Sequence, residues 1–337
     1  MSLPARICRI LTRAAVVSFA VFFTGCNEPS TADRLRYVRA GVEELLDAEA
    51  PAVPVRAVAL PHRRERILIV EDHTIGPFDF LATIGCRLSE VVASRNAPLG
   101  RVLRPTRRLA HEFDVIEAVE SCLPTLGEER AARLATILAA KQEALPRHVW
   151  NAIWLDEELE RFLSSGPAAL IGGRDPGDGA RQLRATASAI GARDIDALEG
   201  AFEQLRDDPA AGPRFRDAAA VTRELEQIAA LVRAVPTDRC SAAGRQLVRI
   251  FTERFVPVRG QVADLDRDAQ RLAEGVQAAF EASGTAQASD AMNAYRIAIA
   301  GEGDDPGIAG ALRGAIVGHA RAWSGVLGVC EAIPGAV

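Results

Sequence analysis

Apolar residues return at intervals of three and four along almost the whole chain, the period of a helix that buries one stripe of its surface. Leu35, Val38, Val42, Leu45 and Leu46 form the first stripe, with Ser30 or Thr31 placed to cap its start. Further helices are predicted over 78–95, 106–122 and 128–163, the last interrupted at Pro146. In the second half, Leu247, Phe251, Phe255, Val258, Val262, Leu265, Ala269, Leu272 and Val276 keep step through Pro257. That proline is therefore expected to kink one continuous helix, which at about 40 residues would run roughly 60 Å. The return path is split by GEGDDPG, Gly301 to Gly307, into two helices whose summed length about matches it. The last of them buries Ile308, Leu312, Ile316, Trp323 and Leu327. Gly310, Gly314 and Gly318 make a small-residue face beside that stripe, read as a place where two helices pack closely. Arg313, His319 and Arg321 exclude a simple membrane span for this segment.

Two stretches break the pattern. From Pro51 to Gly76 prolines at 51, 54 and 61 precede the β-branched run RILIV, and a short hairpin of 55–60 with 66–70 is expected there. SSGPAALIGGRDPGDG, Ser164 to Gly179, is dense in glycine, proline and aspartate and reads as a linker. The expected fold is all-α, an elongated multi-helix bundle in two helical halves. An N-terminal helical domain would span 26–163 and a C-terminal long-helix bundle 180–337.

The first residues carry a different signal. Arg6, Arg9 and Arg13 precede an uncharged run from Ala14 to Phe23, about half the length needed to span a bilayer. The tetrad Phe23, Thr24, Gly25, Cys26 resembles the bacterial lipobox, although Phe23 stands where leucine is usual. The resemblance implies that residues 1–25 are a lipoprotein signal peptide and that Cys26 receives lipid. By the same likeness Asn27, in place of an aspartate, points to the outer membrane, with the body facing the periplasm.

The chain has 40 basic and 45 acidic side chains, and loss of the three leader arginines takes the net charge from −5 to −8. Such a balance disfavours general nucleic-acid binding. Lys141 is the only lysine, so arginine abundance reflects composition before function. Beyond Cys8 and Cys26, four cysteines are left for an oxidising compartment to pair. Of the three possible pairings, the antiparallel return of the long helix favours Cys240 with Cys330, which leaves Cys86 with Cys122, at unequal distances from the turn near Gly100 but accommodated by a staggered hairpin.

FDFLATIGCRLSEVVASRNAPLGRVLRPTRRLAHEF, followed by LATILAAKQEALPRHVWNAIW, resembles a family of proteobacterial lipoproteins known as a domain of unknown function. Asp79, Phe80, Leu81, Cys86, Arg95, Asn96, Leu99, Gly100, Cys122, Lys141, Trp150 and Asn151 carry the likeness. It implies an envelope lipoprotein and assigns no reaction or cofactor.

Arg95, Arg101, Arg104, Arg107 and Arg108 crowd a helix junction and could hold a phosphate or carboxylate, against the simpler reading of an exposed basic turn. Asn96 fits a helix end before Pro98. His111, Asp114 and Glu117 are metal-ligand types on successive turns, but Val115 stands where a second histidine would be needed. Trp150 and Trp154 share a helical face and read as core, and Asn151 would need partners if buried. No nucleophile elbow, P-loop, dinucleotide fingerprint or C-x-x-C appears. The reading is a non-catalytic module that binds an envelope protein. The alternative is a binder or hydrolase of anionic lipid or cell-wall fragments at the arginine cluster.

Overall fold

The computed structural model describes residues 29–56, 58–71, 76, 80, 81, 83–96, 103–164, 176–206, 211–238 and 240–330. The leader, Cys26, Arg101 and residues 165–175 of the linker lie outside the described residues.

Thirteen α-helices and no strand occur among the described residues, so the chain is all-α. They are α1 (Thr31–Leu46), α2 (Arg63–Arg66), α3 (Arg87–Asn96), α4 (Pro105–Cys122), α5 (Glu128–Trp154), α6 (Glu157–Leu163) and α7 (Pro176–Ala192). Then follow α8 (Ile195–Leu205), α9 (Ala211–Arg233), α10 (Ala242–Ile250), α11 (Arg259–Ser283), α12 (Asp290–Ala300) and α13 (Gly307–Val329). Local chemistry sets many of the starts. Ser30 and Asp33 form a reciprocal capping box on α1, and Asp156, Asp194, Ser241 and Ser289 cap α6, α8, α10 and α12 with their side chains.

The principal core lies around α9, which packs along α13 on one side and α1 on the other. Leu35, Trp150, Phe162, Leu183, Phe215, Phe280 and Trp323 all belong to it, so residues on both sides of the 164–179 segment share one interior. Glu224 of α9 is fully buried and binds the Arg39 guanidinium at 2.8 Å, which fastens α1 in place. A smaller second core joins Leu88 of α3, Val115 and Val119 of α4 and Leu134 of α5. Cys86 and Cys122 are at disulfide distance within it, their Cα atoms 5.8 Å apart. Cys240 and Cys330 are likewise paired, with Cα atoms 4.8 Å apart. A cross-link over that separation of 90 residues stabilises by about 4 to 5 kcal/mol in the chain-entropy account.

Several details differ from the sequence expectation. The helix expected over 78–95 is not continuous: Phe80 and Leu81 are helical, a turn at 83–85 follows in which Gly85 takes a left-handed φ of 96°, and α3 starts at Arg87. Pro146 does not interrupt α5, which continues to Trp154 because its last turns bury Trp150, Ile153 and Trp154. The glycine face of α13 makes no helix contact: a Cβ at Gly314 or Gly318 would meet nothing within 4 Å. The close approach occurs instead between α7 and α11, where a Cβ on Gly275 would sit 2.9 Å from Leu183 Cβ.

The expected hairpin over 55–70 is absent. Among the described residues Pro51 to Glu71 forms an extended strap carrying one helical turn, α2, and its polar backbone is satisfied by side chains of the helices beneath it. The Asn151 amide pairs with Leu68 at two points: Leu68 N donates to Asn151 Oδ1 at 2.9 Å, and Asn151 Nδ2 donates to Leu68 O at 2.8 Å. Trp150 Nε1 donates to Arg66 O at 2.7 Å. The buried Arg66 guanidinium donates to Trp154 O at 2.6 Å and pairs with Glu160. One side-chain amide thus does what a neighbouring strand would have done. Asn151→Ala is expected to lower the unfolding free energy by about 2 kcal/mol and to speed amide exchange at Leu68. Urea titration and hydrogen exchange check this, and unchanged protection at Leu68 would contradict it.

Candidate functional site

Between α10 and α11 the chain meets Pro257, which has no N–H to give Glu253 O and whose ring would clash with that carbonyl in a regular helix. The backbone widens instead. Phe251–Phe255 forms a π turn, with Val256 N donating to Phe251 O at 2.9 Å, and Val258 N then closes a tight turn on Phe255 O at 2.8 Å before α11 begins. The continuous α-helix expected through Pro257 is thus replaced by α10, a π turn and α11. The two phenylalanines stack at 5.3 Å and face α13, where Phe251 meets Trp323 at 5.0 Å and Phe255 meets His319 at 4.4 Å between ring centroids.

These rings wall a cavity of about 300 Å³, completed by Leu225 of α9, Val262 of α11 and Leu327 of α13. Arg259 and Ala320, both exposed, line its mouth. Two other concavities, of about 440 and 620 Å³, are lined largely by charged residues that pair with one another, among them Arg214 with Asp268 and Arg249 with Glu253. The aromatic cavity differs in being mostly apolar, the usual character of a small-molecule site.

His319 is its one buried polar group, 2% exposed. Its Nε2 accepts from Trp323 Nε1 at 2.8 Å. Burial pushes the imidazole down to about 3, so the ring is neutral and carries its proton on Nδ1. Among the described residues nothing accepts from Nδ1. With Nε2 engaged and Nδ1 protonated, the ring has no free lone pair with which to act as a base. Ser324 Oγ, also at the cavity, spends its proton on Ala320 O at 2.8 Å. The site can bind and offer a hydrogen bond, and it presents no nucleophile paired with a base.

The residues singled out from sequence fall elsewhere and do not converge. Arg107 bridges α4 to α8, pairing with Asp196 at 3.1 Å and with Glu199. Arg95 and Arg108 are engaged too, Arg104 precedes α4 as its N-cap, and Asn96 ends α3. Asp114 and Glu117 turn to Arg87, at 3.2 and 2.9 Å, instead of joining His111. No group of three or more metal-ligand side chains forms among the described residues. His111 is held below its ordinary value by burial first, then by Lys141 and Arg95 nearby. Lys141 pairs at 2.8 Å with the buried Glu112, whose other oxygen lies 3.9 Å from His148. Trp150 and Asn151 serve the strap. The cavity residues were visible in sequence only as members of buried stripes. The one usable signal was a histidine on the apolar face of α13, four residues before a tryptophan and facing a proline-broken aromatic pair.

The chain belongs to the family described as protein of unknown function (DUF3080), whose model matches residues 36–334. No curated protein and no solved structure matches it.

Because an unfolded histidine takes its proton near 6.5 and folded His319 only near 3, its contribution to stability is complete above about pH 6.5 and drains as pH falls. The slope is about 1.4 kcal/mol per pH unit in that window. Between pH 7 and pH 5 the wild type should lose about 2 kcal/mol more than His319→Gln in urea titrations. Parallel losses in the two proteins would show that the ring is not buried neutral.

Proposed function

We propose that this protein is an envelope lipoprotein, tethered to the outer membrane through Cys26 and facing the periplasm, whose helical body is a non-catalytic binding module. The address rests on the leader, the lipobox-like tetrad and Asn27. No helix among the described residues is long and apolar enough to cross a membrane. The binding reading rests on one observation, the aromatic cavity between the π turn and α13, which has a hydrogen-bond donor and no nucleophile-base pair. The envelope component recognised is one that inserts an apolar group there. An anionic ligand held by the Arg95–Arg108 cluster is less favoured, because Arg107 is already neutralised by Glu199 and Asp196.

Intact-mass measurement of protein taken from native membranes should find a chain that begins at Cys26 and carries lipid. An unmodified amino terminus overturns the tether. For the module, the neutral fluorophore N-phenyl-1-naphthylamine should bind with enhanced emission. Ala320→Phe, a change at an exposed position of the cavity mouth, should weaken that binding about tenfold or more, the loss of roughly two buried methylenes' worth of contact. Failure of the dye to bind, or binding indifferent to Ala320→Phe, overturns the cavity as a binding site.

A further inference from the structure

We infer that the cavity takes a single-chain anionic amphiphile, with its hydrocarbon tail against Phe251, Phe255 and Trp323 and its head group on Arg259, an inference that rests on the binding role just proposed.

The charge balance around the mouth points to the head group. Every acidic side chain on the neighbouring turns of the same segment is taken by a different arginine: Glu253 by Arg249 at 3.1 Å, Asp264 by Arg267, and Asp266 by Arg313 at 2.8 Å. Arg254, the nearest arginine before Pro257, lies 4.3 Å over the Tyr37 ring. Arg259 has no ion pair with any described residue and stands exposed at the mouth. It is also the first residue of α11, a helix of 25 residues with no acid in its first turn, so the positive end of the helix adds to its field. A lone cation at the rim of an apolar cavity complements an anion attached to a hydrocarbon.

The interior points to the tail. The walls are aromatic and aliphatic, and they include His319, whose Nδ1–H meets no acceptor among the described residues and suits a carbonyl, carboxylate or phosphate oxygen. A cavity of about 300 Å³ stands at the small end of ligand sites, in keeping with a single alkyl chain.

Free fatty acids and fragments of anionic phospholipids both present this chemistry, and two probes separate them. Decanoate and decyl phosphate should each displace N-phenyl-1-naphthylamine, and whichever does so at lower concentration identifies the source. Arg259→Ala should weaken the better of the two about tenfold, the scale of one charge-assisted hydrogen bond. It should weaken the neutral dye and decanol far less than the anions, because only the anions lose a charge partner with the guanidinium. If decanol competes as well as both anions, or if Arg259→Ala leaves the anions unaffected while the dye still binds, the inference falls and the cavity stands as a site for neutral apolar ligands. If the dye itself does not bind, the binding role and this inference fall together.

Discussion

Pro257 can neither donate a backbone hydrogen bond nor tolerate a regular carbonyl four residues back, and the C-terminal half of the molecule is arranged around that restriction. The π turn at Phe251–Phe255 is how the chain passes it without unwinding. The two phenylalanines of the widened turn are half-buried, packing on the edge of the principal core and against α13. The cavity lies between this turn and α13. Its walls are kept from parting by the Cys240–Cys330 link, which ties the start of α10 to the end of α13, and by α9, which packs along α13. Packing at the link is close because position 244 is glycine: a Cβ there would lie 3.1 Å from Cys330 Sγ.

The same logic of satisfying backbone without a sheet governs the other end of the molecule. The strap over Pro51–Glu71 has prolines that disfavour helix and no neighbouring strand, so its polar groups must find side chains. Asn151 and Trp150 supply them from α5, Ser289 Oγ donates to Glu65 O at 2.7 Å, and Gln227 Nε2 donates to Pro51 O at 2.9 Å. The strap in turn carries Arg66 into the interior, where it binds the last turn of α5 and Glu160 of α6. These contacts account for a tryptophan-asparagine pair at 150–151 by packing and hydrogen bonding alone, without a ligand.

What could be read from sequence was whatever is local and periodic. The stripe of α1, its Ser30 cap and the split return of α12 and α13 follow from spacing within one or two turns. The Cys240–Cys330 pairing followed from matching helix lengths out and back, whereas Cys86–Cys122 lies at unequal distances from the turn near Gly100 and needed a staggered hairpin. What was illegible depended on a distant partner. RILIV reads as a strand because β-branched residues favour extended backbone, which the segment does adopt, but the partner proved to be an amide 83 residues away. A spacing of four is shared by an α-helix and a short π turn, so Phe251 and Phe255 could not reveal that the helix had widened. Among 40 basic residues, sequence gives no means to separate Arg107, neutralised by α8, from Arg259, which keeps its charge at a cavity mouth. The arginine cluster was therefore the conspicuous candidate, and the single arginine beside a proline was not.

The claim on which the account turns is that Pro257 shapes the cavity. Titration of N-phenyl-1-naphthylamine into Pro257→Ala tests it most directly. Restoring the N–H allows a regular turn that re-aims Phe251 and Phe255, so the dye should bind about tenfold more weakly, the equivalent of losing roughly two methylenes of apolar contact, to a protein at least as stable as the wild type. Unaltered dye affinity in a folded Pro257→Ala protein would contradict it, because the cavity would then owe nothing to the proline.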